Sequence, residues 1–148
     1  MQNASRNFND GDVVSVVDTW GGKAIATTAR ILHVSKRKKK FMAVLSEDTY
    51  RRYDFADYGR IIFDTAEEAK NVADKIPVPG TIVYILKRGK IHEERVIDVC
   101  SKHNKEGVAD IIIKLVEDEE AYITANISIK QIGEVLFSSK EDAEKNKK

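Results

Sequence analysis

The feature that most restricts how this chain folds is an internal match without a gap. Residues 53–69, Tyr53-Asp54-Phe55-Ala56-Asp57-Tyr58-Gly59-Arg60-Ile61-Ile62-Phe63-Asp64-Thr65-Ala66-Glu67-Glu68-Ala69, align with residues 127–143, Ile127-Ser128-Ile129-Lys130-Gln131-Ile132-Gly133-Glu134-Val135-Leu136-Phe137-Ser138-Ser139-Lys140-Glu141-Asp142-Ala143. Apolar positions, the glycine and the helix start all coincide. Upstream, Gly11 to Val17 matches Gly80 to Leu86, and Arg30 to Val34 matches Arg95 to Val99. A repeat of this kind marks one supersecondary unit used twice, so both copies must share a fold. The only two prolines, Pro77 and Pro79, stand between the copies. Proline fixes φ and lacks an N–H, so it continues neither a helix nor a central strand, and the boundary falls there. The copies are read as domains 8–76 and 79–148, and units of roughly 60 to 75 residues can fold alone.

Each copy is a series of short strands. In the first, Val13 to Val17, Ala24 to Val34, Phe41 to Leu45, Tyr50 to Phe55 and Ile61 to Phe63 are rich in β-branched and aromatic residues between turn or charged clusters. The second offers Ile82 to Leu86, Ile91 to Val99, Val108 to Val116, Ala121 to Ile129 and Val135 to Phe137. Trp20-Gly21-Gly22-Lys23 and Lys87-Arg88-Gly89-Lys90 are predicted hairpin turns. Thr65-Ala66-Glu67-Glu68 has capping-box spacing, with Glu68 expected to reach back to the Thr65 backbone; Ser139 to Asp142 is a weaker version. Ala66, Ala69, Val72, Ala73 and Ile76 then form one apolar stripe on a helix that plugs the end of a barrel. The second helix, after Ala143, lacks such a stripe and is expected to fray.

Five short strands with a tight turn before the last resemble an SH3-like small β-barrel, the group that includes KOW and Tudor modules. The expected fold is therefore mainly β with short helices, two tandem SH3-like five-stranded small barrels, each followed by a C-terminal helix. The ending of glycine, two apolar residues, phenylalanine, a capping Thr or Ser and a Glu-Glu-Ala type helix resembles small proteins of Gram-positive bacteria and their phages or mobile elements. That resemblance implies no biochemical role.

No run of about 20 apolar residues exists in the 148-residue chain, so a membrane span and membrane contact are not expected. Met1 to Asn7 has no basic stretch followed by an apolar one and reads as a loose leader, which speaks against export. The single cysteine, Cys100, has no partner for an internal disulfide; it is read as a small buried hydrophobe in a cytoplasmic protein. A net charge of +1 rules out the uniformly basic surface of an obligate nucleic-acid binder, so the distribution of charge matters more than its sum.

Catalytic and metal chemistry finds no constellation. His33, His92 and His103 lack ligand spacing from one another or from Cys100. Gly21-Gly22-Lys23-Ala24 lacks the first glycine and the hydroxyl of a phosphate loop. No enzyme activity and no cofactor are expected. The strongest functional feature is Lys36-Arg37-Lys38-Lys39-Lys40, a basic run at a predicted hairpin tip, where clustered cations can meet phosphates. The competing reading is a solvated turn that blunts a sheet edge. In Tyr50-Arg51-Arg52-Tyr53, strand alternation puts Tyr50 with Arg52 on one face and Arg51 with Tyr53 on the other. An exposed Tyr50 would stack on a base while Arg52 holds a phosphate; otherwise Tyr53 is core and Tyr50 packs beside a neighbouring strand. Trp20 is either an exposed contact or a lid on the barrel end. The second copy carries an acidic run instead, Glu117-Asp118-Glu119-Glu120, at a predicted hairpin tip.

Two functions are consistent with this pattern. One is a non-catalytic module that contacts nucleic acid or a nucleic-acid-binding assembly through Lys36 to Lys40, Tyr50, Arg51, Arg52 and Trp20. The other is a protein-protein adaptor or inhibitor, of the anti-defence type encoded by mobile elements, in which Glu117 to Glu120 imitate phosphates for a protein partner.

Overall fold

A computed structural model describes residues 6–46, 49–103, 109–118 and 123–147, without the side chains of residues 46, 103, 109, 117, 118 and 123. Of the described residues, those within Met1–Asp18, Ala24–Lys75 and Lys102–Ala109 form one compact unit. Those within Thr19–Lys23, Ile76–Ser101 and Asp110–Lys148 form the other.

Among the described residues, ten strands appear where the two copies predict them. The first five are β1 (Val13–Trp20), β2 (Lys23–Ser35), β3 (Lys40–Ser46), β4 (Thr49–Asp54) and β5 (Ile62–Phe63), followed by helix α1 (Ala66–Lys75). The next five are β6 (Ile82–Lys87), β7 (Lys90–His103), β8 (Ala109–Asp118), β9 (Ile123–Ser128) and β10 (Leu136–Phe137), followed by α2 (Lys140–Asn146). They make two five-stranded sheets, ordered β4-β3-β2-β1-β5 and β10-β6-β7-β8-β9. Each is the same order, with the short fifth strand beside the first. The sheets are open, not the closed barrels expected: β5 and β10 are two residues long, and among the described strands each neighbours just one, β1 and β6 respectively.

The match between the copies extends to individual hydrogen bonds. Ser15 lies opposite Phe63 as Tyr84 lies opposite Phe137, and Val16 opposite Ile62 as Ile85 opposite Leu136. Gly11 N–H donates to Ile31 O at 2.7 Å, and Gly80 N–H to Val96 O at 2.8 Å. Val17 N–H donates to Ile61 O, and Leu86 N–H to Val135 O, both at 2.8 Å. Before the last strand of each copy, Gly59 (φ 85°) and Gly133 (φ 87°) occupy the left-handed region that glycine enters without a Cβ clash. Their N–H groups reach Ile62 O and Leu136 O at 2.8 Å.

Two features depart from the expected elements. Phe55 and Ile129 are not strand residues but begin 3-10 turns, Phe55–Asp57 and Ile129–Gln131. Asp54 and Ser128 cause this by accepting the N–H of the residue two ahead, at 3.2 Å in both cases. Asp57 and Gln131 reach back to the Asp54 and Ser128 N–H at 3.0 and 3.2 Å. These capping boxes turn the chain off the sheet edge. The second departure is α2, which holds its helix to Asn146 although only Ala143 is buried; Ser139 caps it by accepting Asp142 N–H at 3.1 Å. At α1, Thr65 accepts Glu68 N–H at 3.2 Å as expected, but Glu68 takes the Thr65 hydroxyl proton at 2.9 Å rather than the backbone N–H. Ala69, Ala73 and Ile76 of the α1 stripe are buried, while Ala66 is exposed.

The inner face of the first sheet carries Val14, Val16, Ile31, Phe41, Ala43 and Tyr53, all at most 2% exposed. Phe8, ahead of β1, completes this core at 1% exposure, its ring 4.8 Å from Phe41, 5.1 Å from Phe55 and 5.8 Å from Tyr58. Arg6, expected in a loose leader, lies 5.3 Å over the Phe8 ring and ion-pairs with Asp64 at 2.5 Å and Asp12 at 3.1 Å. The segment is tied down by aromatic burial with a charge clamp at its edge. Cys100 is half-buried, more accessible than the buried hydrophobe expected.

Because Phe8 fills a site walled by three rings, Phe8→Ala is expected to lower the stability of the first unit by about 3 to 5 kcal/mol. A urea midpoint within error of the wild type would show that the segment before β1 is not part of the core.

Candidate nucleic-acid interface

The outer face of β2, β3 and β4 is assembled by register. Arg30 lies opposite Val44, and Val44 opposite Tyr50; Leu32 lies opposite Met42, and Met42 opposite Arg52. Residues directly opposite across antiparallel strands share a face. Two rungs result, Arg30-Val44-Tyr50 and Leu32-Met42-Arg52. Met42 and Val44 form a half-buried apolar floor, while Arg30, Arg52 and Tyr50 are exposed, Tyr50 at 54%.

A bulge shapes one end of this face. Leu32 pairs with Met42 but Ser35 with Lys40, so β2 carries one more residue than β3 between these pairs. His33 takes up the excess with φ 50° in the left-handed region, where a bulge residue re-aims its side chain. Asp10 Oδ1 accepts the Val34 N–H at 2.9 Å beside it. His33, Ser35, Lys38, Lys40, Phe41, Met42 and Arg52 line a cleft of about 580 Å³. Its charged walls are all cationic, and its floor is apolar.

The basic run lies at the edge of the cleft. Residues 36–39 form the turn between β2 and β3, and Lys36, Arg37, Lys38 and Lys39 are all exposed; Lys40 is half-buried at the start of β3. Ser35 Oγ accepts Lys38 N–H at 3.2 Å, and Lys39 O accepts Phe55 N–H at 2.9 Å, so the turn is fixed at both ends. Lys39 itself sits at φ 56°.

The alternation expected in residues 50–53 is observed. Tyr53 is 1% exposed on the inner face with its ring 5.8 Å from Phe41, while Tyr50 and Arg52 point out. Arg51 lies on the inner side, where it ion-pairs with Asp18 at 3.7 Å, and so does not join the outer face. Burial, and next the negative charge of Asp18, push the Tyr53 hydroxyl pKa up, so it stays neutral. Trp20 is 76% exposed and belongs to the second unit. There the Gly21–Gly22 turn beside it is held by Val99 N–H donating to Gly22 O at 3.1 Å, and by a Thr19–Ser101 hydroxyl contact of 2.7 Å. Of the acidic run, Glu119 and Glu120 lie outside the described residues, as do the side chains of Glu117 and Asp118.

The equivalent face of the second unit is different. Val116 lies opposite Thr124, and Lys114 opposite Asn126, so threonine and asparagine stand where the first unit has Tyr50 and Arg52. This face is not written in any one stretch of sequence, because Arg30 and Leu32 lie on β2, Met42 and Val44 on β3, and Tyr50 and Arg52 on β4; alternation in β3 was the signal available. Also unforeseen was Asp57, 2% exposed, which holds the 3-10 turn behind β4 and ion-pairs with Arg60. Among the described residues no group of His, Cys, Asp or Glu is arranged to hold a metal ion. No known protein family, curated protein or solved structure matches the chain.

Burial raises the Asp57 pKa above its ordinary 3.8, outweighing the Asp54 N–H and the Arg60 guanidinium, which lower it. A raised folded pKa means the folded state holds the proton more tightly, so the contribution of Asp57 to stability is largest at low pH. Relative to Asp57→Asn, the wild type is therefore expected to lose stability as pH rises from about 3.9, the unfolded value, through the raised folded pKa. Urea unfolding of both proteins across this range measures it, and a constant difference would refute the assignment.

Proposed function

We propose that this chain is a non-catalytic binding module whose first unit contacts nucleic acid, free or within a nucleoprotein assembly. The observation that carries the reading is one continuous surface. An exposed turn of four cations, Lys36 to Lys39, borders a cleft walled by Lys38, Lys40 and Arg52, and Arg52 shares its outer sheet face with Tyr50 and Arg30. Phosphate oxygens need clustered, accessible cations, and a protruding turn delivers them with little desolvation cost. The polar groups of the cleft are cations, an imidazole and a hydroxyl, a set that holds an anion. The reading is local: net charge is +1, and the edge-strand tyrosine and arginine have no counterpart in the second unit.

The repeated strand order, with a 3-10 turn between the fourth and fifth strands of each copy, supports an SH3-like reading of both units. Among the described residues, no helix is long and apolar enough to cross a membrane. A lone cysteine, without a partner for an internal disulfide, supports a cytoplasmic location.

The test is binding to labelled DNA and RNA across a salt series, for the wild type and a tip variant. The variant carries Lys36→Ser, Arg37→Ser, Lys38→Ser and Lys40→Ser, with Lys39→Gly because of its left-handed φ. Each phosphate contact contributes about 0.7 to the slope of log affinity against log salt for single strands, so the slope should fall in magnitude by about 2 to 3.5. Unchanged affinity and slope would overturn the proposal.

A further inference from the structure

The apolar floor of the β2-β3-β4 face distinguishes between forms of nucleic acid. A duplex offers a protein its phosphates and its groove edges, with the base faces stacked away. Laid on this face, it would press phosphates against Leu32, Met42 and Val44, giving up hydration without a partner in return. Nor does the face fit inside a groove. Three strands at about 4.8 Å spacing span nearly 10 Å between their axes before side chains are added, whereas the major groove, about 12 Å wide, admits a two-stranded ribbon.

An unpaired strand presents the complementary pattern, apolar base faces on one side and phosphates on the other. Tyr50 and Arg52 are two residues apart on one face, a step of about 6.8 Å along the strand. That is twice the duplex rise of about 3.4 Å per nucleotide, so contacts on these two side chains suit nucleotides pulled out of their stack. Val44 lies directly opposite Tyr50 and Met42 directly opposite Arg52, so a base on the Tyr50 ring also covers part of the floor. Asp54, next on the same face and opposite Lys40, turns its carboxylate to the Ala56 N–H at 3.2 Å.

We propose that the ligand of this face is single-stranded nucleic acid, with one base stacked on Tyr50 and the adjoining phosphate held in the cleft by Lys38, Lys40 and Arg52. This rests on the nucleic-acid reading above and narrows it. Tyr50 bears no core load at 54% exposure, so its substitution leaves the fold intact, which thermal unfolding checks.

The experiment compares labelled oligo(dT), oligo(U) and a blunt duplex of equal length by fluorescence anisotropy at several salt concentrations, with wild type, Tyr50→Ala, Tyr50→Phe and the tip variant. Single strands are expected to bind tighter than duplex at every salt concentration, and the two single-stranded arms tell DNA from RNA. Tyr50→Ala should weaken single-strand binding about tenfold without altering the salt slope, because stacking releases no counterions, while Tyr50→Phe should retain it. Duplex binding as tight as single-strand binding, or a Tyr50→Ala protein that binds single strands like the wild type, would overturn the inference. The broader reading then survives if the tip variant still weakens binding; absence of binding to all three probes overturns both.

Discussion

The burial of Tyr53 governs the candidate interface, because side chains alternate along a strand and one fixed residue assigns its neighbours. Tyr53 sits opposite Phe41 in the core, and Phe41 in turn packs on Phe8. Slipping β4 by one residue would bring Tyr50 and Arg52 inside and expel Tyr53. Burying an aromatic ring is worth about 1.5 to 3 kcal/mol, and burying an unpaired guanidinium costs several more. The register is thus held by one ring, that of Tyr53, and defended by one charge, that of Arg52. Arg51 is the exception that fits the rule, since its inward-facing charge meets Asp18.

The two copies share what the backbone needs and differ where packing makes no demand. Gly59 and Gly133 take the same positive φ, Asp54 and Ser128 cap the same 3-10 turn, and β5 and β10 pair in the same register. These positions are set by sterics and by orphan N–H groups, for which few residue types suffice. The outer rungs carry no such requirement. Tyr50 and Arg52 in one copy can therefore be Thr124 and Asn126 in the other without disturbing the framework.

Charge follows the same division. With a net charge of +1 the whole molecule exerts little long-range pull on a polyanion, yet five cations in succession occupy one turn and the start of β3. Two of those five cations, Lys38 and Lys40, line the cleft, beside the β2 bulge at His33. A sheet edge, a protruding turn and a bulge together concentrate a charge that the composition conceals.

The number of strands, their order along the chain and the helix starts were legible because each is written in local chemistry: β-branched runs, paired glycines and capping residues. Strand alternation likewise paired Tyr50 with Arg52 and Arg51 with Tyr53; burial of Tyr53 decided which pair faces outward. The 3-10 turns were overlooked although Asp54 and Asp57, or Ser128 and Gln131, carry the capping spacing, because the apolar residues Phe55 and Ile129 between them imitate strand. Tertiary structure alone decided that the sheets stay open, that Arg6 joins the first unit and Phe8 its aromatic core, and that Arg30, Leu32, Met42 and Val44 meet Tyr50 and Arg52 on one surface. Local preference acts over a few neighbouring residues, whereas a face spanning three strands exists only once register has been set by burial on its other side.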